Sequence, residues 1–192
     1  MNRLRTSCGV ALLSVLGALS LPVRAAAQAA PSAYGPGHSL WAGVEFSNMN
    51  ASFPYQSGQR IAGVGAFADY HLSYRFGLVG DARFLNFGGY QGTTESSYLA
   101  GPKIYFLAPG KFRLYGKFLA GVGRIHYPYE IGSASYLALA PGAGAEYRIK
   151  RRWMAQADYE YQMWPGSPGY ANEPKHELTP NGFQVGVAYR VF

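Results

Sequence analysis

The sequence predicts an all-β fold, an eight-stranded antiparallel up-and-down transmembrane β-barrel behind an N-terminal signal peptide. Three observations predict it. Apolar residues alternate with small or charged ones at a period of two through eight successive segments, the mark of strands with one apolar face. Each segment is about ten residues long, which suits a strand crossing a bilayer. Aromatics make up 16% of the chain and there are 25 glycines, both high for a soluble domain and suited to aromatic girdles and curved strands.

The N-terminus reads as an export signal. Arg3 and Arg5 form a basic region, and Val10 to Leu21 is an apolar run too short to span a bilayer as a helix. Ala25-Ala26-Ala27 and Ala27-Gln28-Ala29 are both small-residue cleavage sites; cleavage after Ala29 is favoured. Residues 1–29 are thus expected to be the signal, 30–37 a Pro-containing linker and 38–192 the barrel. The single cysteine, Cys8, lies inside the signal, and Arg5 stands where a lipoprotein signal needs an aliphatic residue. The mature chain is expected to carry no disulfide and no thiol chemistry. Loss of Arg3, Arg5 and Arg24 lowers the formal charge from +7 to +4, an excess too small and too interleaved with acids to argue for nucleic acid.

The strands follow in order. The first, about 39–49, sets Leu40, Ala42, Val44 and Phe46 against Glu45. The second, about 60–71, sets Ala62, Val64, Ala66, Ala68 and Tyr70 against Gly63, Gly65, Phe67 and Asp69. The third, about 75–87, sets Phe76, Leu78, Ala82 and Phe84 against Asp81 and Arg83. The fourth, about 97–107, sets Tyr98, Ala100, Ile104 and Phe106 against Lys103 and Tyr105. The fifth, about 111–125, sets Phe112, Leu114, Phe118, Ala120 and Val122 against Arg113, Tyr115 and Lys117. The sixth, about 135–149, opposes Leu137, Leu139, Ala143, Ala145 and Tyr147 to Glu146. The seventh, about 152–163, opposes Trp153, Ala155, Ala157, Tyr159, Tyr161 and Met163 to Arg152, Gln156, Asp158 and Glu160. The eighth follows Pro180: Phe183, Val185, Val187, Tyr189 and Val191 share one face, Gly182, Gln184, Gly186, Ala188 and Arg190 the other, and the chain ends on Phe192. Pro102 and Pro141 lie within strands, and a local bulge is expected at each.

Short turns at 72–74, 108–110 and 150–151 alternate with longer loops at 50–59, 88–96, 126–134 and 164–181. A soluble sandwich or lipocalin-like barrel would share the period of two but would turn its apolar face inward. The small and charged residues of the other face are too polar for a sandwich core, which favours lipid outside.

Four stretches together resemble the small OmpA-like bacterial outer-membrane β-barrel domains: Ser97-Tyr-Leu-Ala-Gly-Pro-Lys103, Gly116-Lys-Phe-Leu-Ala-Gly-Val-Gly-Arg124, Pro141-Gly-Ala-Gly-Ala-Glu-Tyr-Arg148 and Asp158-Tyr-Glu-Tyr161. The resemblance implies a monomeric barrel in the bacterial outer membrane. Its implied partners are outer-membrane lipid, lipopolysaccharide and the barrel-assembly machinery, the last reading Phe183, Val185, Val187, Tyr189, Val191 and Phe192. Members of this family are variously structural, adhesive or weakly pore-forming. No peptidoglycan-binding domain is expected after Phe192. One departure stands out: Arg190, not an aromatic, lies two positions before Phe192. Either the last turn shifts or Phe192 sits at the rim.

An eight-stranded barrel is only wide enough inside for its own side chains. The inward candidates are six acids, Glu45, Asp69, Asp81, Glu146, Asp158 and Glu160, and six bases, Arg83, Lys103, Arg113, Lys117, Arg152 and Arg190. Equal numbers predict mutual neutralisation, either as a rigid polar plug or as a gate whose rearrangement opens a narrow path. The Gly63-Val-Gly65, Gly121-Val-Gly123 and Gly142-Ala-Gly144 runs lack the strand-to-helix context of a phosphate loop and read as room for bulky interior neighbours.

Enzymatic chemistry would need a nucleophile with a histidine and an acid at the outer rim. His126 with Glu130, and His176 with Glu173 and Glu177, are histidines beside acids; Ser133, Ser135 and Ser167 could be nucleophiles. Nothing in their spacing fixes a geometry or a metal site, so no catalysis, cofactor or metal is expected. Tyr55, Tyr90, Tyr127, Tyr129, Trp164 and Tyr170 in the loops suit either an interfacial girdle or contact with a surface ligand. Lys150-Arg151-Arg152 is expected to meet anionic headgroups. The sequence therefore predicts a structural or surface-interaction barrel, with a narrow pore and then a lipid-modifying enzyme as alternatives.

Overall fold

The computed structural model describes residues 38–53, 56–88, 92–107, 110–127, 132–167 and 177–192. The signal and linker expected at 1–37 lie outside them, as do Tyr55, Tyr90, Tyr129, Tyr170, Glu130, Glu173 and His176. Eight strands are present: β1 (Ser39–Phe53), β2 (Gln56–His71), β3 (Phe76–Phe87), β4 (Thr94–Leu107), β5 (Phe112–Tyr127), β6 (Gly132–Lys150), β7 (Trp153–Tyr161) and β8 (Asn181–Arg190). Each pairs antiparallel with its sequence neighbours, and β1 pairs with β8 to close the barrel. That seam runs in unbroken register from Trp41 opposite Arg190 to Asn50 opposite Asn181.

The period of two decides the faces. Along β3 and β7 exposed and buried positions alternate almost without exception. Val44, Phe46, Val64, Phe84, Phe106, Phe118 and Val185 are among the large apolar residues that point out and are exposed. Glu45, Asp69, Arg83, Lys103 and Glu160 point in and are buried. A soluble barrel has the reverse arrangement. An apolar belt running round the whole molecule far exceeds the patch of a few hundred Å² that a soluble monomer tolerates, and its natural solvent is lipid.

The connections differ from expectation in length. The strands run further at one end, so residues expected in the loops at 50–59, 88–96 and 126–134 belong largely to β1, β2, β4, β5 and β6. At this loop end the connections are 54–55, 88–93, 128–131 and 162–180; at the opposite turn end they are 72–75, 108–111 and 151–152. Only the β7–β8 connection is long. The strand pattern was masked in sequence because polar residues such as Gln56, Ser57 and Gln59 break the alternation once the strands pass beyond the apolar belt. At the turn end the β2–β3 turn is closed by the Ser73 hydroxyl, which accepts from the amides of Arg75 (3.3 Å) and Phe76 (3.1 Å), and Gly110 takes a φ of 63° open to few other residues.

The bulges expected at Pro102 and Pro141 are absent. Pairing of β4 with β5 steps from Ala100–Ala120 to Lys103–Lys117 in one register, and Pro141 lies opposite Phe118 in an unshifted ladder. A proline removes one donor, but a bulge needs an extra residue; intact rungs on both sides hold the register. The shifts occur elsewhere, between Ala51 and Phe53, Ala62 and Gly63, Tyr105 and Leu107, and Arg148 and Lys150. Phe192 lies beyond the end of β8 and is exposed at the rim. The last ladder contact is the Val191 amide donating to the Leu40 carbonyl at 2.8 Å.

Val185 sits mid-seam on the lipid face, opposite Phe46. Val185→Arg is expected to destabilise the folded barrel by about 2–4 kcal/mol, measured by urea unfolding in phospholipid vesicles.

Candidate functional site

The interior is solid with side chains, arranged in three zones. At the turn end Lys103 of β4 reaches across to Asp69 of β2 and Glu146 of β6, all three buried. The Tyr105 hydroxyl donates to Glu146 at 2.9 Å and meets His71 Nε2 at 2.8 Å. The Ser39 hydroxyl bridges His71 Nδ1 and the Trp41 indole N–H, each at 3.2 Å. Trp41 packs with Phe67, Met154 and Ala188.

In the middle zone Arg83 of β3 is fully buried and spends its guanidinium on three carboxylates: Glu45 of β1 at 3.1 Å, Asp81 at 2.7 Å and Glu160 of β7 at 3.0 Å. Lys117 of β5 pairs with Asp158 at 2.8 Å and Glu160 at 2.9 Å, so Glu160 joins the two cations. Tyr115 links this zone to the first: its hydroxyl donates to Asp158 at 2.7 Å, and Lys103 Nζ lies 3.8 Å from its ring centre.

At the loop end the interior turns apolar. Met49, Ile61, Leu85, Leu99, Leu119 and Ile125 converge on Trp164 and Leu178 from the β7–β8 connection. Trp164 has 0% exposure. It was expected among exposed loop aromatics or in a girdle; instead the chain folds it into the barrel mouth. Gly123 makes this fit, since a Cβ there would overlap the indole ring. The indole N–H donates to Gln162 Oε1 at 2.8 Å, and Gln162 Nε2 donates to Glu160 at 2.9 Å. The cap is thereby bonded to the ion-pair zone beneath it. Gly142 similarly makes way for Lys117, and Gly65 for Glu45.

The expected balance of six acids and six bases is not what the interior holds. Among the described residues seven acids are buried, Glu45, Asp69, Asp81, Glu95, Glu146, Asp158 and Glu160, against three buried bases, Arg83, Lys103 and Lys117. Arg113 is half-buried, stacked 5.0 Å from the Tyr105 ring centre. Arg152 is exposed and donates to the Tyr189 hydroxyl at 2.9 Å, and Arg190 lies at the turn-end rim with its Nε 3.0 Å from the Phe192 oxygen. Both follow from position: β7 begins only at Trp153, and Arg190 is the last residue of β8. Sequence reasoning missed Glu95, because β4 starts at Thr94, ahead of the expected Ser97. It also missed Gln162, Gln184, His71 and Ser39, buried neutral groups that carry no charge signal.

Asp69, His71 and Glu146 bring three potential ligand atoms within 4.8 Å of one another. The Lys103 ammonium already bonds both carboxylates of that group, so the protein supplies its own cation there. Of the serine–histidine candidates, His126 Nδ1 and Ser133 Oγ meet at 2.8 Å as exposed cross-strand partners of β5 and β6. No described carboxylate orients the imidazole. Ser135 is exposed opposite Arg124. Ser167 is engaged structurally, donating to the Trp164 carbonyl at 2.6 Å and accepting from the Leu178 amide at 2.8 Å.

Arg83→Met strands Glu45, Asp81 and part of Glu160 without their cation. It is expected to cost about 3–5 kcal/mol, read as a lowered urea midpoint by the heat-shifted gel band. The exposed Arg60→Met is expected to leave the midpoint in place.

The model of the outer membrane protein beta-barrel domain matches residues 11–190. No curated protein matches the chain. Among solved structures, Ail, the attachment invasion locus protein of Yersinia pestis, superposes with a TM-score of 0.56 at 20% identity, covering 80% of this chain and 98% of Ail. Neisserial surface protein A superposes at 0.61 with 10% identity, covering 78% and 96%. The N-terminal barrel of Pseudomonas aeruginosa OprF gives 0.50 at 15% identity, covering 78% and 96%. At these identities the likeness speaks for the fold, and it agrees with the inverted polarity of the barrel. The chain belongs to the outer membrane protein beta-barrel domain family, and its place is the bacterial outer membrane.

Proposed function

We propose that this protein is a non-conducting barrel with a structural or surface-interaction role, in which the interior is a plug and the loop end meets the ligand. The observation that carries this reading is the Trp164 cap. A path through the barrel would have to displace Trp164 and its apolar neighbours and then break the Arg83–Glu160–Lys117 bridge below. Either layer alone closes a barrel this narrow. The narrow-pore alternative needs both to move together.

Ail has been crystallised with the heparin analogue sucrose octasulfate. That property is Ail's, but it supplies a polyanionic probe for an adhesin-like role here. The loop end carries exposed Arg60 and Arg124. The lipid-modifying alternative has one observation in its favour, the His126–Ser133 hydrogen bond. A cross-strand pair lacking an orienting acid among the described residues does not activate a hydroxyl.

Three measurements separate the readings. The barrel refolded into a planar bilayer is expected to be silent, and so is Trp164→Ala, because the ion-pair layer still closes the lumen; discrete openings of the unmodified protein would establish the pore. Sucrose octasulfate is expected to bind the refolded barrel and to lose most of its affinity when Arg60 and Arg124 are both changed to Gln; no binding would remove the polyanion form of the surface role. Lipopolysaccharide incubated with the barrel is expected to keep its acyl chains; their loss, abolished by Ser133→Ala, would establish the enzyme.

A further inference from the structure

Charge is sorted along the barrel axis to an extent that pairing does not explain. The connections and strand ends of the turn end carry Arg75, Lys111, Arg148, Lys150, Arg151, Arg152 and Arg190. The same stretches, 72–76, 107–112, 147–153 and 189–192, contain no Asp and no Glu, and the first acid of the chain is Glu45. None of these seven bases has an Asp or Glu partner among the described residues; Arg190 alone meets a carboxylate oxygen, that of the terminal Phe192. In barrels of this architecture the short turns are periplasmic, so the basic rim meets the inner leaflet of the outer membrane.

At one point the rim becomes a formed cleft of about 280 Å³, lined by Arg151, Arg152, Arg190, Val191 and Phe192. Its walls are held by the sheet. The Arg190 amide donates to the Arg152 carbonyl at 2.9 Å, which fixes the β7 and β8 ends side by side. The Tyr189 hydroxyl holds the Arg152 guanidinium at 2.9 Å, and the Phe192 oxygen holds Arg190 Nε at 3.0 Å, leaving other N–H groups of both forks available. Arg151 stands in the turn with no hydrogen bond or ion pair among the described residues. Guanidinium forks match the oxygens of a phosphate in a way that a lone ammonium does not. Beside the cleft, on the lipid face, Trp153 and Tyr189 stack edge to face with centroids 5.3 Å apart, and Val191 and Phe192 are exposed. Such aromatics sit at headgroup level.

We propose that the Arg151–Arg152–Arg190 cleft is a headgroup site for one anionic phospholipid of the periplasmic leaflet. The phosphodiester lies between the three guanidinium groups, and the acyl chains run down the Trp153–Tyr189 face. Room for roughly nine waters at ~30 Å³ each accepts a phosphate with its glycerol, while the chains stay outside in lipid. The proposal goes beyond a general attraction of Lys150-Arg151-Arg152 to a charged surface, because it requires Arg190 from the other strand and a preference for one lipid at one place.

The test is a lipid titration of the refolded barrel in zwitterionic micelles, read by native mass spectrometry, with phosphatidylglycerol against phosphatidylcholine of the same chains. One phosphatidylglycerol is expected to be retained in preference. Arg151→Gln, Arg152→Gln and Arg190→Gln are each expected to weaken it about fivefold, whereas Arg60→Gln and Arg124→Gln at the far end leave it unchanged. Equal retention of both lipids, or unchanged retention in the triple arginine variant, would overturn the proposal. Displacement of the lipid by an equal concentration of inorganic phosphate would overturn it too, since the site would then take phosphate without a lipid. The heat-shifted gel band reports folding of every variant. Should the triple variant not fold, Arg151→Gln alone decides, because its side chain makes no contact that folding needs.

Discussion

Everything in this molecule follows from the absence of water around its waist. In hydrocarbon an unpaired backbone N–H or C=O has nothing to bond to and costs several kcal/mol. A sheet placed there cannot have an edge. The β1–β8 seam meets that demand along its whole length, from Trp41 opposite Arg190 to Asn50 opposite Asn181. The same constraint explains why Pro102 and Pro141 are tolerated: each forfeits a rung, yet neither shifts the register that the neighbouring rungs impose.

Closure with eight strands then creates a second constraint, a narrow cylinder that must be filled. The filling pairs large residues with glycine, Trp164 against Gly123 and Lys117 against Gly142. The ion pairs add something that apolar packing would not. Arg83 ties β3 to β1 and β7, and Lys103 ties β4 to β2 and β6. These are ties across the lumen between strands that share no ladder. They fix the cross-section of the barrel, where the ladder fixes only its circumference. Buried ion pairs are weak evidence for stability in themselves; here their geometric role is the more direct reading, because Arg83 and Lys103 are each shared among carboxylates from different strands.

The fold was legible because its signal is periodic and local. Within the barrel wall the expected faces recur in all eight strands, with Arg152 and Arg190 at the rim the exceptions, since a period of two survives even where single residues are unusual. What failed to be legible is what depends on the third dimension. Trp164 looked like a loop aromatic because its neighbours Pro165 and Gly166 are turn residues; nothing local says that the turn folds inward. The pairing of Arg83 with Glu160, 77 residues apart, depends on strand stagger. Arg152 and Arg190 carry the correct parity for the interior, but the barrel ends before their side chains can reach it. Parity decides a face, and only height along the axis decides whether that face is lumen or rim.

Height also sorts the charge. Seven acidic side chains lie in the lumen with three basic ones, and the turn end carries seven bases with no Asp or Glu. Fewer acids inside would have relaxed the lumen's excess of negative charge, and a few at the rim would have paired its arginines in the ordinary way. Neither is done, so apart from Arg190, which holds the terminal Phe192 oxygen, the rim's cations are left for a counter-charge from outside the chain. A periplasmic leaflet rich in phosphate oxygens supplies one at the right depth, and because the loop end lacks an equivalent unpaired ring among its described residues, such contacts also distinguish the two ends of an otherwise near-symmetric cylinder. Seen in this way the basic rim and the acid-rich lumen are one arrangement. The lumen is closed by bridges the protein makes with itself, while the rim is completed by the membrane.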